Sequence, residues 1–189
     1  MIIATTVPNN FFMAFDVVKC WLGIPKLDFT YLYLQSCYID TNRNKAVEKA
    51  KESGEDLLMI DSDILFTPND IMRMRNHLKT GLKVVTGVYP IFMEGEIIPS
   101  IYKLKDGKYF PCKVEEGMNE VDACGGGFLG ISKELIKELP KDPFSRIKKE
   151  DVIYGEDISF CVKIAEIGVK LICDSQIKVS QLRVDKYSL

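Results

Sequence analysis

The chain has 189 residues, 47% hydrophobic and 28% charged, enough for one α/β domain with a real core and short for two. Lysine and arginine number 25 against 27 aspartates and glutamates, a net charge of −2 without the basic footprint of a nucleic-acid binder. No apolar run approaches the ~20 residues of a membrane-spanning helix, and the start lacks a signal peptide's basic region; the expectation is a cytoplasmic protein, with peripheral membrane contact left open.

Ile2 to Thr6 reads as a first strand, short and β-branched. A loop to Asn10, a candidate N-cap, leads into a helix from Phe11 to Leu22, stopped by Gly23 and Pro25. Phe29 to Leu34 is a second strand. Asp40-Thr41-Asn42 opens a helix through Ala46, Val47 and Ala50 that Gly54 closes. Leu57 to Ile60 is an unbroken apolar run, suited to a strand buried on both faces. A helix from Pro68 to Thr80 and a strand from Leu82 to Val88 complete a β-α-β-α-β-α-β series, which predicts a parallel sheet with helices packed on it.

The second half changes character. Ile97 to Leu104 and Tyr109 to Val114 flank Lys105-Asp106-Gly107-Lys108, a hairpin signal. Val121 to Cys124 and Phe128 to Ile131 enclose Gly125-Gly126-Gly127, and Ser132 caps a short helix to Leu139. Pro140 to Tyr154 is polar and irregular, long enough for a mobile active-site loop. Glu156 to Ile167 is a helix ended by Gly168, and Val169 to Cys173 and Ile177 to Ser180 are two last strands. One domain, 1–189, with halves 1–88 and 89–189, is the expected organisation.

The run from Leu57 ends in Asp61-Ser62-Asp63. In extended backbone, residues two apart point the same way, so both carboxylates project beyond the strand's carboxyl end, the ligand-binding edge of open α/β sheets. Paired anions call for a cation or a shared proton, and hard Mg²⁺ or Mn²⁺ carrying substrate phosphates fits. The plainer alternative is a turn, since Asp-Ser-Asp is rich in turn formers. Side chains facing apart, or locked to arginines with no room for an ion, would exclude the cation. Six cysteines without a Cys-x-x-Cys pair, and His77 alone, argue against zinc. The cysteines read as buried apolar groups in a reducing compartment, with disulfides left open. His77 is expected on a solvated helix face.

Four stretches align: Asp40-Thr41-Asn42-Arg43-Asn44, Asp61-Ser62-Asp63, Gly125-Gly126-Gly127-Phe128 and Gly155-Glu156-Asp157. In this order and spacing the chain resembles GT-A glycosyltransferases that use nucleotide-diphosphate sugars, closest to small family-2-like members, from Ile2 to about Leu182. The resemblance implies an α/β GT-A fold, a mostly parallel central sheet flanked by helices with a smaller antiparallel part. The first half would bind the nucleotide sugar and the second a glycan, lipid or protein hydroxyl acceptor. It implies that Asp63 binds the metal directly and that Asp61 holds ribose or a metal-bound water. It implies that Asp157 is the general base of an inverting reaction, with Glu156 beside it at a helix start. Thr5, Thr6 and Val7 would cradle the base. Arg43, with Asn44, Ser62, Gly126 and Gly127, would border the donor, the Arg43 guanidinium reaching diphosphate or nucleoside.

Each assignment has a plainer counterpart: Arg43 as an exposed helix-start residue, Glu156 and Asp157 as acids that merely stabilise a helix, the glycines as a tight turn. Tyr89 is read first as a packed loop aromatic. Where the family often carries a histidine ligand, Val179-Ser180-Gln181-Leu182 offers Gln181, a neutral oxygen donor. Two rivals stand: a nucleotide-sugar-binding protein without transfer activity, and a sugar-phosphate nucleotidyltransferase. The latter usually has a glycine-rich basic loop after its first strand, and Thr5 to Asn10 holds no glycine, lysine or arginine. An Asp-x-Asp-x-Thr phosphatase fits less well, because the motif follows the wrong strand and lacks the threonine.

Overall fold

The computed structural model describes residues 1–7, 13, 15–24, 29–93, 95–149 and 151–182. The expected cap Asn10, the helix start at Phe11 and Phe12, and Pro25 lie outside the described residues. The first half runs β1 (Ile2–Val7), α1 (Phe15–Leu22), β2 (Thr30–Gln35), α2 (Ile39–Ser53), β3 (Leu57–Asp61), β4 (Ile64–Leu65), α3 (Pro68–Lys79) and β5 (Val84–Val88). Local chemistry sets these ends. Gly54 closes α2 at φ 67°, the left-handed region that favours glycine. Thr67 and Asp70 form a capping box ahead of α3, with the Thr67 N–H donating to Asp70 Oδ2 at 2.7 Å and Pro68 in the first turn.

Strand β3 is fully buried from Leu57 to Ile60, and its alternation assigns each face a helix. Leu57 and Met59 pack with Ala46, Val47 and Ala50 of α2. Leu58 and Ile60 pack with Ile71, Met74 and Leu78 of α3. The unbroken apolar run is therefore a strand between two helical layers.

The second half adds β6 (Pro90–Met93), β7 (Glu96–Pro99), β8 (Ile101–Lys105), β9 (Lys108–Pro111), β10 (Met118–Val121), β11 (Ala123–Cys124), β12 (Phe128–Ile131), α4 (Lys133–Glu138), β13 (Lys148–Lys149), β14 (Val152–Ile153), α5 (Glu156–Glu166), β15 (Leu171–Lys178) and β16 (Ser180–Gln181). The central sheet has seven strands in the order β10-β15-β5-β12-β3-β1-β2. It is mostly parallel, as in β1 beside β2 and β3, and β15 beside β5. Strand β12 runs antiparallel between β3 and β5. Within the expected mostly parallel sheet, β12 from the second half separates β5 from β3. Gly130 admits it beneath α3, since a Cβ there would overlap Met74 Sδ.

Other boundaries differ for visible reasons. The expected strand Ile97–Leu104 breaks at buried Ser100, β7 pairing with β6 and β8 with β9. The hairpin turn sits where Asp-Gly places it, with Asp106 at φ 50° and Gly107 at φ 75°. Val121–Cys124 divides at Asp122 between the central sheet and a small sheet of β11, β8 and β9. The two expected final strands merge into β15, with a register shift after Cys173, and β16 then pairs with β4. His77 is not on a solvated face: its Nε2 lies 2.6 Å from Oδ2 of Asp174, a fully buried carboxylate that Arg73 also binds. The expected loop from Pro140 to Tyr154 is held to the body around Phe144. Phe144 is buried and stacked on Phe160 with ring centroids 4.4 Å apart, and its N–H donates to Asn44 Oδ1 at 2.8 Å.

Candidate active site

The carboxyl ends of β1 and β3 lie side by side, with Thr6 opposite Asp61 in the register. Thr6 Oγ1 donates to Asp61 Oδ1 at 2.8 Å. Arg43, in the first turns of α2, reaches the same carboxylate, Nη2 lying 3.0 Å from Oδ2 and 3.2 Å from Oδ1. Its Nη1 lies 3.2 Å from Glu156 Oε1, close enough to attract but not aligned for a hydrogen bond. The Arg43 side chain is 2% exposed, so the exposed-arginine alternative is excluded. Burial alone would lower its pKa. Attraction by Asp61, Glu156 and Asp157 outweighs that and holds it above the ordinary arginine value. Arg43 thus bridges the end of β3 and the start of α5.

The triple glycine makes room for this bridge. A Cβ on Gly126 would overlap Arg43 Nη1, and one on Gly127 would stand 2.7 Å from the Tyr89 hydroxyl. The Gly127 N–H donates to that hydroxyl at 2.9 Å, and the Gly127 carbonyl accepts from the Asp61 N–H at 3.0 Å. The space a side chain on Gly126 or Gly127 would fill is taken by Arg43 and Tyr89. Tyr89 is the packed aromatic expected of it, 4% exposed. Burial, then the charge of Asp61, pushes its phenol well above the usual range.

Asp63 is placed differently. Strand β16 pairs with β4, and the Leu182 N–H donates to the Asp63 carbonyl at 2.7 Å, which draws the end of the chain beside Asp-Ser-Asp. Gln181 Nε2 then donates to Asp63 Oδ2 at 2.8 Å. Burial raises the Asp63 pKa and the charge of Asp61 raises it further, while the Gln181 bond lowers it. Thr6, Val7, Asn42, Asp61, Ser62, Asp63 and Gln181 all border one cavity of about 350 Å³.

The donor set fits a hard divalent ion at Asp63 but not at Asp61. Both Asp61 oxygens are taken by Arg43, one also by Thr6. Asp63 keeps Oδ1, and its under-solvated charge is what a cation would relieve. One carboxylate plus substrate phosphates is a usual Mg²⁺ environment. Gln181 turns its amide nitrogen toward Asp63; the opposite amide orientation would present Oε1. Among the described residues, no group of three or more His, Cys, Asp or Glu is gathered for a metal. Asp61 therefore meets one exclusion condition, being locked to an arginine, while Asp63 does not.

Glu156 and Asp157 open α5, after Gly155. Glu156 is 9% exposed and faces Arg43; burial raises its pKa, Arg43 lowers it, and Asp157 raises it again. Asp157 is half-buried, and its Oδ1 accepts from the Ile158 N–H at 2.8 Å. Two expected donor contacts are elsewhere. Asn44 borders a second cavity, with Lys45, Lys51 and Lys141, and is spent on the Phe144 N–H. Thr5 is buried with its hydroxyl unpartnered and does not border the cavity of Asp63.

Sequence reasoning missed Ser36, Cys37, Tyr38, Ile39, Asn42 and Arg146 around the cavity. Asn42 is 2% exposed, with Oδ1 unpartnered. Cys37, between β2 and α2, is exposed. Arg146 sits on the segment before α5. The polar, irregular character of 140–154 was the only signal for Arg146, and it does not single out one residue.

No family profile and no curated protein match the sequence. Solved structures do match its fold. A197 from STIV covers 97% of this chain and 87% of its own, with 20% identity and a TM-score of 0.71. GalNAc-T7, solved with UDP, GalNAc and Mn²⁺, covers 99% of this chain at 15% identity and a TM-score of 0.62, and the match spans 44% of that protein. A protein of Desulfovibrio desulfuricans G20 classed as a nucleotide-diphospho-sugar transferase covers 96% of this chain and 81% of its own, with 12% identity and a TM-score of 0.54. No helix among the described residues is long and apolar enough to cross a membrane. A mostly parallel sheet flanked by helices, with small antiparallel sheets beside it, gives this chain a GT-A-like α/β fold.

Proposed function

We propose that this chain is a metal-dependent glycosyltransferase. It would move a sugar from a nucleotide-diphosphate donor to a hydroxyl of a glycan, lipid or protein. The observation that carries the reading is the convergence of Asp63, Ser62, Thr6 and Gln181 on one cavity at the carboxyl ends of β1 and β3. That edge binds ligands in open α/β sheets.

In this reading Asp63, with Gln181 turned to offer its oxygen, would hold Mn²⁺ or Mg²⁺. The cation supplies Lewis-acid stabilisation of the departing diphosphate. Thr6, Val7 and Asn42 wall the nucleoside. Asp61 and Glu156 hold Arg43, which ties the donor side of the site to α5. Asp157 takes the acceptor's hydroxyl proton as the acceptor oxygen attacks the sugar's anomeric carbon. The bond from that carbon to phosphate oxygen breaks, and the outcome is inversion. The Asp157 oxygen not bonded to the Ile158 N–H is the one available for this. Residues 1–88 would supply most of the donor site and 89–189 the acceptor side, within one domain.

The experiment is calorimetry with nucleoside diphosphates and nucleotide sugars in the presence of Mn²⁺ or Mg²⁺, followed by donor-hydrolysis and transfer assays. Asp157→Asn is expected to keep donor binding and lower turnover at least ~100-fold. Absence of both binding and hydrolysis in the wild type would refute the reading. Binding without turnover would select the rival non-catalytic protein, which the engagement of Asp61 by Arg43 favours.

A further inference from the structure

We propose that Arg146, rather than Arg43, is the cation that grips the donor's diphosphate; this rests on the nucleotide-sugar reading above. Arg43 is committed elsewhere. Its guanidinium is 2% exposed, faces Asp61 and Glu156, and has Gly126 packed against it. At 2% exposure, it could be reached by a phosphate only if the packing around it opened.

Arg146 has the opposite character. It is exposed and borders the same cavity as Asp61, Ser62, Asp63 and Gln181. Among the described residues its guanidinium makes no hydrogen bond or ion pair; the charge facing it is that of Glu156. Its backbone, by contrast, is fixed on both sides. Phe144 is stacked on Phe160 and held by Asn44. Lys163 Nζ donates to the Ser145 carbonyl at 2.6 Å and the Pro143 carbonyl at 3.0 Å. The Ile147 N–H donates to Ser159 Oγ at 3.1 Å.

A fixed backbone carrying an uncommitted guanidinium suits a ligand better than a fold. The planar fork of N–H donors matches phosphate oxygens, and a held backbone lowers the entropy lost when they engage. When the bond from the anomeric carbon to phosphate oxygen breaks, negative charge grows on the leaving nucleoside diphosphate. Arg146 would meet that charge in the cavity it shares with Asp63. Two plainer roles compete: a solvated surface arginine, and a residue that only offsets Glu156.

The test is titration of wild type, Arg146→Ala and Arg146→Lys with UDP, GDP, ADP and CDP and with the matching nucleosides, each with Mn²⁺. Melting temperatures near that of wild type would show that the variants fold, as expected for an exposed side chain. Arg146→Ala is expected to weaken the diphosphate that wild type binds by about 10- to 100-fold and to leave the nucleoside unchanged. Arg146→Lys should recover part of the loss. Diphosphate affinity within twofold of wild type in Arg146→Ala overturns the proposal. An equal loss for nucleoside and diphosphate also overturns it, by making Arg146 structural. If wild type binds none of the four diphosphates, the nucleotide-sugar reading falls and this proposal with it, an outcome distinct from failure of the variant alone.

Discussion

Arg43→Ala is expected to destabilise the fold, and Gly126 shows how to prove why. Removing the guanidinium leaves Asp61 and Glu156 without their shared partner and opens a void against the glycine turn. Breaking a buried ion pair from one side costs about 3–5 kcal/mol. The Asp61 and Glu156 side chains are 22% and 12% exposed, and Asp61 keeps its bond from Thr6, which favours the low end. With an unfolding entropy of ~2.1 cal/mol/K per residue, ~3 kcal/mol corresponds to a melting temperature about 8 °C lower for this length. Gly126→Ala should cost ~1–3 kcal/mol alone, because its new methyl overlaps the guanidinium. In the double variant that obstacle is gone. The combined loss should then fall short of the sum by ~1–2 kcal/mol, a coupling readable by urea denaturation of all four proteins. Strict additivity, or an Arg43→Ala protein within 1 kcal/mol of wild type, would refute the buried bridge.

Asp61→Asn and Asp63→Asn should move stability in opposite directions. Asp61→Asn weakens the Arg43 pair and lowers the melting temperature. The Asp63 pKa is raised by burial, so its penalty is absent below the unfolded value of ~3.9 and appears as pH rises through the folded value. Asp63→Asn should therefore raise the melting temperature at pH 7 and abolish any stabilisation by Mn²⁺; a lower melting temperature would count against this. Asp174 is the reverse case. Burial would raise its pKa, but bonds from Arg73, the Gln176 N–H and His77 hold it below the usual value. Its contribution is full above the unfolded value and lost as pH falls through the folded one. The stability gap between wild type and Asp174→Asn should shrink below about pH 4; a gap constant from pH 6 to pH 3 would refute that. Cys37 is exposed at the cavity while Cys124, Cys161 and Cys173 are buried. It should label first with a maleimide and be protected by a bound nucleoside diphosphate, which peptide mass spectrometry reads directly. Labelling of Cys161 ahead of Cys37 would contradict the burial pattern.

The first half was legible because its signals are local. Gly54 and Gly81 end helices, Thr67 and Asp70 begin one, and four apolar residues before Asp61 make a strand buried on both faces. The position of β12 was not legible. Phe128 to Ile131 reads as a buried strand wherever it lies, and nothing within it names β3 and β5 as neighbours. Arg43 illustrates the same limit at the site. Its position at a helix start was readable, but Glu156 and the glycine turn come from distant parts of the chain, and the charge they absorb decides what the arginine can do. Gln181 beside Asp63 followed from resemblance alone, since only the pairing of β16 with β4 brings them together. Arg146 had no such guide.

The bridge through Arg43 bears on how cation and donor would bind. Four carboxylates, Asp61, Asp63, Glu156 and Asp157, gather around two guanidiniums, of which Arg43 is spent within the fold. A diphosphate entering alone would add charge of the sign already in excess. At an effective dielectric of ~20, each unit pair about 4 Å apart costs ~4 kcal/mol. A cation entering alone would find one open carboxylate oxygen, Oδ1 of Asp63, because Gln181 holds Oδ2 and Arg43 occupies Asp61. Neither partial complex is favoured, whereas the pair brings the cation its missing oxygens and cancels much of the donor's charge. On the proposed function, the Arg43 bridge, by withdrawing Asp61 from the cation, would make tight cation binding conditional on the donor.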